Sequence, residues 1–248
     1  MSMPRKLRCT VESITDHGGH VYTVDLRPQG MVPGFRPGQF LHLTVDPYDP
    51  ADFWPESRVF SIASSPHDRS RIRICYSVKG RYTRKMEETL QVGGTVWIKL
   101  PYGEFFVEDT SNAILVAGGT GISAFTAFIE KLGPEAPRLV TLVYGARTAD
   151  LLLFQEMILT QLRRVPNFRA IFFLEAMDPG FAVRPAALNE APVCLAGRIS
   201  LEQVRLHISD FSRNVFYLSG PPAMISTLGA GLRSLGISAD RIRTDAWE

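Results

Sequence analysis

The sequence predicts two domains of different class: an antiparallel β-barrel, then an α/β unit built on a parallel sheet. Three observations carry this. The first half holds short runs in which apolar and polar residues alternate, separated by turn residues. The second half holds runs that are apolar throughout, as in strands buried on both faces. Those runs alternate with stretches of helical periodicity, the order of a parallel sheet covered by helices. A length of 248 residues suits two domains of ordinary size.

In the first half, strands are expected at 21–26, 40–45, 59–62, 71–76 and 96–100. Gly18-Gly19, Pro33-Gly34, Arg36-Pro37-Gly38 and Gly93-Gly94 supply the turns between them. One helix is expected over 83–90. The rhythm changes at Asn112. Strands are expected at 113–117, 139–144, 169–174 and 215–218, with helices over 123–132, 152–165 and 223–235. The boundary falls near 107–111, dividing residues 1–108 from 109–248.

A net charge of +2 gives no electrostatic footprint for nucleic acid. No apolar run reaches membrane-spanning length. No apolar stretch follows Met1–Lys6, so a cytoplasmic location is expected. Cys9, Cys75 and Cys194 lie far apart, which argues against a disulfide framework. Three cysteines cannot hold an iron–sulfur cluster by four thiolates. No metal site is read from the sequence.

Three segments carry chemistry. Ala117-Gly118-Gly119-Thr120-Gly121-Ile122-Ser123 joins a buried strand to a helix. Glycines there let backbone approach a phosphate, and the helix start offers N–H groups and a positive dipole end. It is not G-x-G-x-x-G, and it also fits a tight turn with no ligand. Tyr217-Leu218-Ser219-Gly220-Pro221-Pro222-Ala223-Met224 again runs from strand to helix, with Pro222 suited to the first turn. Arg58-Val59-Phe60-Ser61 sets an arginine and an aromatic on one face of a strand. A guanidinium there can hold a phosphate bidentately, although a strand with a surface arginine reads the same way.

Together these segments resemble the ferredoxin–NADP reductase family over nearly the whole chain. Pro37-Gly38-Gln39-Phe40 resembles the strand motif preceding that family's flavin signature. Arg58-Val59-Phe60-Ser61 resembles Arg-x-Tyr/Phe-Ser, and Val78-Lys79-Gly80 with Thr83 resembles the FAD pyrophosphate cradle. Gly93, Pro101, Gly103 and Phe105 fit the later barrel. The resemblance implies a barrel that binds FAD and an α/β domain that binds NAD(P). It implies that Arg58 holds a flavin phosphate, Phe60 packs on the isoalloxazine and Ser61 reaches its N5 edge. Val59, Tyr76, Val78, Lys79, Gly80, Tyr82 and Thr83 complete the implied FAD site. Thr120, Gly121, Arg147, Glu175, Ser219, Gly220, Pro221 and Met224 form the implied nucleotide site.

Two departures stand out. Ser219 occupies the place of a cysteine that normally lies beside the nicotinamide. The chain ends Asp245-Ala246-Trp247-Glu248 where plant-type members end Glu-x-Tyr. Asp245 and Trp247 are therefore similar to that pair, with Trp247 over the flavin, and a frayed tail is the other reading. Ser61, Ser219, Asp245 and Trp247 are the implied catalytic set. Glu175-Ala176-Met177-Asp178 follows the strand at which NADP-specific relatives place Ser and Arg. An acid accepts from a ribose hydroxyl and repels a phosphate, which leans toward NADH, although Arg147 and Arg184 can compensate.

With no cluster in this chain, the resemblance implies a separate acceptor: ferredoxin, flavodoxin or an oxygenase component. Reduction of free flavin or ferric chelates, or a role as the flavin-bearing subunit of a larger complex, are the alternatives. Arg69, Arg71, Arg73, Lys79, Arg81, Arg84 and Lys85, with no acid among them, fit an acidic redox partner. They equally fit a solvated basic face or FAD phosphates.

Overall fold

The computed structural model describes residues 3–108, 111–176, 191–208 and 210–245. The chain divides between Phe106 and Val107 into two compact units.

The first unit is a six-stranded antiparallel sheet that curls into a nearly closed barrel. Its strands are β1 (Arg5–Asp16), β2 (Val21–Pro28), β3 (Phe40–Thr44), β4 (Arg58–Ser61), β5 (Ile72–Ser77) and β6 (Thr95–Tyr102). Their order is β4-β3-β6-β1-β2-β5. The two end strands approach each other: Phe60 meets Tyr76 edge-on at 6.2 Å, and the Ala63 N–H donates to the Arg73 carbonyl at 2.8 Å. Inward positions alternate along each strand, so Leu7, Cys9 and Val11 face Leu26, Leu41, Leu43, Ile74 and Ile98 in one core. Helix α1 (Arg81–Thr89) adds Tyr82 and Met86 to that core. The sequence reading missed β1, the longest strand, although Leu7, Cys9 and Val11 alternate with Lys6, Arg8 and Thr10.

The second unit is a parallel six-stranded sheet: β7 (Ala113–Gly118), β8 (Val140–Ala146), β9 (Phe168–Leu174), β10 (Val193–Ala196), β11 (Val215–Ser219) and β12 (Ile242–Thr244). Helices α2 (Ser123–Lys131), α3 (Gln155–Arg164), α4 (Leu201–Leu206) and α5 (Pro222–Ser234) connect them. Strand order is β10-β9-β8-β7-β11-β12. The chain thus builds outward from β7 on one side, then returns to build on the other. The reversal lies between β7 and β11, and open α/β sheets bind ligands beyond the strand carboxyl ends at such a point.

Three elements here were not read from sequence: β10, α4 and β12. They are short, and β12 is mostly exposed. One helix begins later than expected. Leu152 and Leu153 are buried from a loop, and Phe154 stands at φ +59°, so α3 starts only at Gln155. The apolar spacing at 152–154 reflects burial without helical backbone. Among the described residues, no helix is long and apolar enough to cross a membrane.

Candidate functional site

In the second unit, β7 and β11 end side by side, with Ser219 paired to Ala117. The loops that leave them are Gly118–Ser123 and Ser219–Pro222. A short 3-10 turn, Gly119–Ile122, precedes α2, and the Ser123 hydroxyl donates to the Thr120 carbonyl at 2.8 Å. Pro222 occupies the first turn of α5, where its missing N–H costs nothing.

Packing also constrains the glycines of the first loop. A Cβ on Gly121 would lie 2.3 Å from the Ser219 carbonyl oxygen, and one on Gly118 would lie 2.6 Å from Met224 Sδ and 2.9 Å from Pro221 Cδ. These two positions are glycine because the neighbouring loop fills the space. Gly119 is the open one: it stands at φ +53° with nothing within 4 Å. Thr120 and Gly121 remain half-exposed, and Gly220, Pro221 and Met224 form the opposite side of the paired loops.

Ser219 is 3% exposed, and its hydroxyl donates to Asp245 Oδ2 at 2.9 Å. The Asp245 N–H donates to the Leu218 carbonyl at 2.9 Å. The chain is thus fastened to β11 through Asp245, and the frayed-tail reading does not hold at that residue. Trp247 lies outside the described residues.

At the carboxyl ends of β8 and β9, the Glu175 N–H donates to the Ala146 carbonyl and the Ala176 N–H to the Arg147 carbonyl. Arg147 therefore lies beside Glu175. Arg198, just beyond β10, pairs its Nε with Glu175 Oε2 at 3.2 Å. Arg198 was missed because β10 itself gave no clear strand signal. Its guanidinium offsets the acid on which the NADH argument leaned. Met177, Asp178 and Arg184 lie outside the described residues.

In the first unit, β4 exposes Arg58 and half-buries Val59, Phe60 and Ser61. Glu56 stands between two guanidiniums: Oε1 is 3.0 Å from Arg58 Nη2, and Oε2 is 3.0 Å from Arg81 Nη2. Arg58 also lies 4.8 Å from the Tyr82 ring centroid. Tyr82 is 2% exposed and bonded at its hydroxyl to the Glu56 carbonyl at 3.0 Å. Tyr76 is 3% exposed and stacks on Tyr22 at 5.2 Å. Both tyrosines, expected in the FAD site, are buried. At the start of α1, the Thr83 hydroxyl accepts from the Lys79 and Gly80 N–H groups at 2.9 and 3.1 Å. Half-buried Val78 is tied by its N–H to the His20 carbonyl at 3.0 Å. Gln39 links its own motif to the later barrel by donating to the Gly103 carbonyl at 3.1 Å.

Four of the seven cations in the basic block from Arg69 to Lys85 face acids, three of those acids from elsewhere in the chain. Arg73 grips Asp25 bidentately at 2.7 and 2.8 Å. Arg71 faces Asp68 at 3.6 Å, Arg81 faces Glu56, and Lys85 pairs with Asp46. A sequence window shows only the cations of such pairs.

Residues 115–229 match the oxidoreductase NAD-binding domain family. Over 225 residues the chain is 26% identical to the reductase component 1 of terephthalate 1,2-dioxygenase from Comamonas sp., covering 89% of this chain and 61% of that one. Over 208 residues it is 33% identical to the phenol hydroxylase P5 protein of Acinetobacter pittii, covering 78% and 52%. The crystal structure of an Amycolatopsis cytochrome P450 reductase superposes with a TM-score of 0.80 at 21% identity, covering all of this chain and 71% of that one. The chain carries an oxidoreductase NAD-binding domain, and its two units share the fold of that reductase. The chain spans about half to three-fifths of the length of these curated relatives.

Proposed function

We propose that this chain is an NAD(P)H-dependent flavoprotein reductase that passes electrons from bound FAD to a separate acceptor, an oxygenase component, ferredoxin or flavodoxin. The observation that carries the flavin assignment is the convergence of Arg58 and Arg81 on one carboxylate, Glu56. Two guanidiniums meeting on paired oxygens also match a phosphate, so the residues present fit the FAD pyrophosphate. Ser61, on the same strand as Arg58, is the candidate for the flavin N5 edge. The paired loops at Thr120–Gly121 and Ser219–Met224 are the candidate site for the nicotinamide nucleotide. The relatives named as reductase components support the acceptor assignment. When bound, FAD supplies two-electron acceptance from nicotinamide and stepwise one-electron release. The chain's own residues bind and orient both nucleotides.

Glu175 favours NADH, and its pairing with Arg198 weakens that preference without reversing it. Cytoplasmic residence accords with this role. Anaerobic stopped-flow mixing of the FAD-loaded chain with NADH and with NADPH tests the reading. Bleaching of the flavin is expected with both, faster with NADH; a flavin left oxidised by both would refute it.

A further inference from the structure

A methionine fills space between the loops that leave β7 and β11. Met224 is the third residue of α5, and side chains on a helix lean back toward its start. Its thioether therefore reaches the turn that precedes the helix. A Cβ on Gly118 would lie 2.6 Å from Met224 Sδ and 3.1 Å from Cε, and one on Gly220 would lie 2.8 Å from Cε. The thioether thus occupies the room that a side chain would take at both glycines. The backbones around it are already close, since a Cβ on Gly220 would also lie 2.9 Å from the Gly118 nitrogen.

Met224 packs on the core that holds Ile114, Val116, Phe216 and Leu218. It is nonetheless only half-buried, so a small solute can reach it. A thioether takes one oxygen atom from a peroxide. An S–O bond forms, the O–O bond breaks and water leaves; sulfur loses two electrons and the peroxide gains them. The sulfoxide is larger and polar. Its oxygen competes for room with Gly118, Gly220 and Pro221, and its dipole lies against apolar side chains, where an unpaired polar group is costly. Parting the loops relieves both.

The cysteines compete poorly for the same oxidant. Burial pushes the Cys9 and Cys75 thiols up to about 12 and raises the Cys194 thiol as well. All three stay protonated near neutral pH, and the thiolate is the reactive form. A thioether needs no such ionisation.

We propose that Met224 is a peroxide-sensitive wedge: oxidation of its sulfur by hydrogen peroxide forces the Gly118–Ser123 and Ser219–Pro222 loops apart and weakens nucleotide binding. A methionine sulfoxide reductase reverses the change, the oxygen leaving as water while a dithiol becomes a disulfide. The effect on nucleotide rests on the reductase reading given above, and that reading also supplies the oxidant. Dioxygen that takes two electrons and two protons from a flavin lacking its acceptor becomes hydrogen peroxide. Met224 then ties the use of NADH to the presence of an acceptor.

The test compares the FAD-loaded chain before and after hydrogen peroxide, with peptide mass mapping to score each methionine. Exposed Met3 and Met31 report that the oxidant has acted. Affinity is measured by calorimetry with tetrahydro-NAD, a reduced analogue that gives up no hydride. Peroxide should convert Met224 and weaken binding about tenfold, the scale of an overpacking cost. Methionine sulfoxide reductase with dithiothreitol should restore it. Met224→Leu should hold its own untreated affinity through peroxide. Met224→Gln, which is polar from the start, should bind weakly with or without it. Met177 lies outside the described residues, and Met177→Leu should remain sensitive. The proposal is overturned if Met224 stays reduced while Met3, Met31 and half-buried Met157 are converted. It is equally overturned if Met224→Leu loses affinity as the unmodified chain does, or if Met177→Leu abolishes the loss. Melting temperature needs no nucleotide: peroxide should lower it more in the unmodified chain than in Met224→Leu, and an equal fall in both would also overturn the proposal. If tetrahydro-NAD fails to bind the untreated chain while that difference persists, the nucleotide reading fails and the wedge stands.

Discussion

The Ser219 hydroxyl donates to the buried Asp245 carboxylate at 2.9 Å, and this bond holds Asp245, the residue after β12, against the end of β11. Removing the hydroxyl takes a donor from a carboxylate that is 8% exposed. Ser219→Ala should therefore cost about 1–3 kcal/mol in urea unfolding. Ser219→Cys keeps a side chain of similar shape but only a weak donor. It should lie between alanine and serine in stability. Equal stability of all three would show that the bond carries nothing.

The two loop glycines make opposite predictions about cause. Gly121→Ala places a methyl 2.3 Å from the Ser219 carbonyl, so one loop must retreat from the other. A loss of about 1–3 kcal/mol, the range for overpacking, should accompany weaker NADH binding. Gly119→Ala meets nothing, and its cost is only the left-handed backbone, about 1 kcal/mol. Gly119→Asn should recover part of that. Melting temperatures and NADH titrations of the three variants decide the matter.

Glu56 competes with any phosphate for Arg58 and Arg81. Glu56→Gln should therefore retain flavin more firmly during dialysis, with a several-fold lower Kd for FAD. Arg58→Ala should lose flavin instead. The effect should shrink in high salt, because these groups are substantially exposed.

Asp25 links β2 to β5 through Arg73. Burial by itself would raise its pKa, but the Arg73 bonds and the Ser13 hydroxyl outweigh that and hold it below the usual 3.8. A carboxylate depressed in the folded state contributes stability above its unfolded pKa, and that contribution fades as pH falls toward the folded value. Asp25→Asn should cost about 1.5–3 kcal/mol at neutral pH, the range for a hydrogen bond to a charged group. The gap between variant and unmodified protein should narrow as pH falls below about 4. A gap that stays constant in thermal melts across that range would exclude the linkage.

Alternation in β2 and β5 and the apolar runs of β7, β8 and β9 made the two units legible, because each burial pattern has its own period. Legibility failed where structure depends on a distant partner. The Arg69–Lys85 cations looked uncompensated because Asp25, Asp46 and Glu56 lie elsewhere in the chain. The crowding of Gly118 and Gly121 by Met224 and Ser219 was hidden, because nothing local reveals what occupies the space beside them. Arg198 stayed hidden behind a four-residue strand with little alternation. The motifs Arg58–Ser61 and Ser219–Pro222 were visible as strings, but the Glu56 bridge and the Asp245 bond required three dimensions.

The placement of β11 against β7 also governs how this protein is made. Ala113 pairs with Val215, so the central strand of the second unit waits for a partner encoded near the far end of that unit. Pairings so distant in sequence form late and slowly. A nascent chain halted before Val215 carries the Gly118–Ser123 loop without the surface that shapes it. The paired loops therefore have no half-built form, and β11 must be synthesised before the Gly118–Ser123 loop can take its shape.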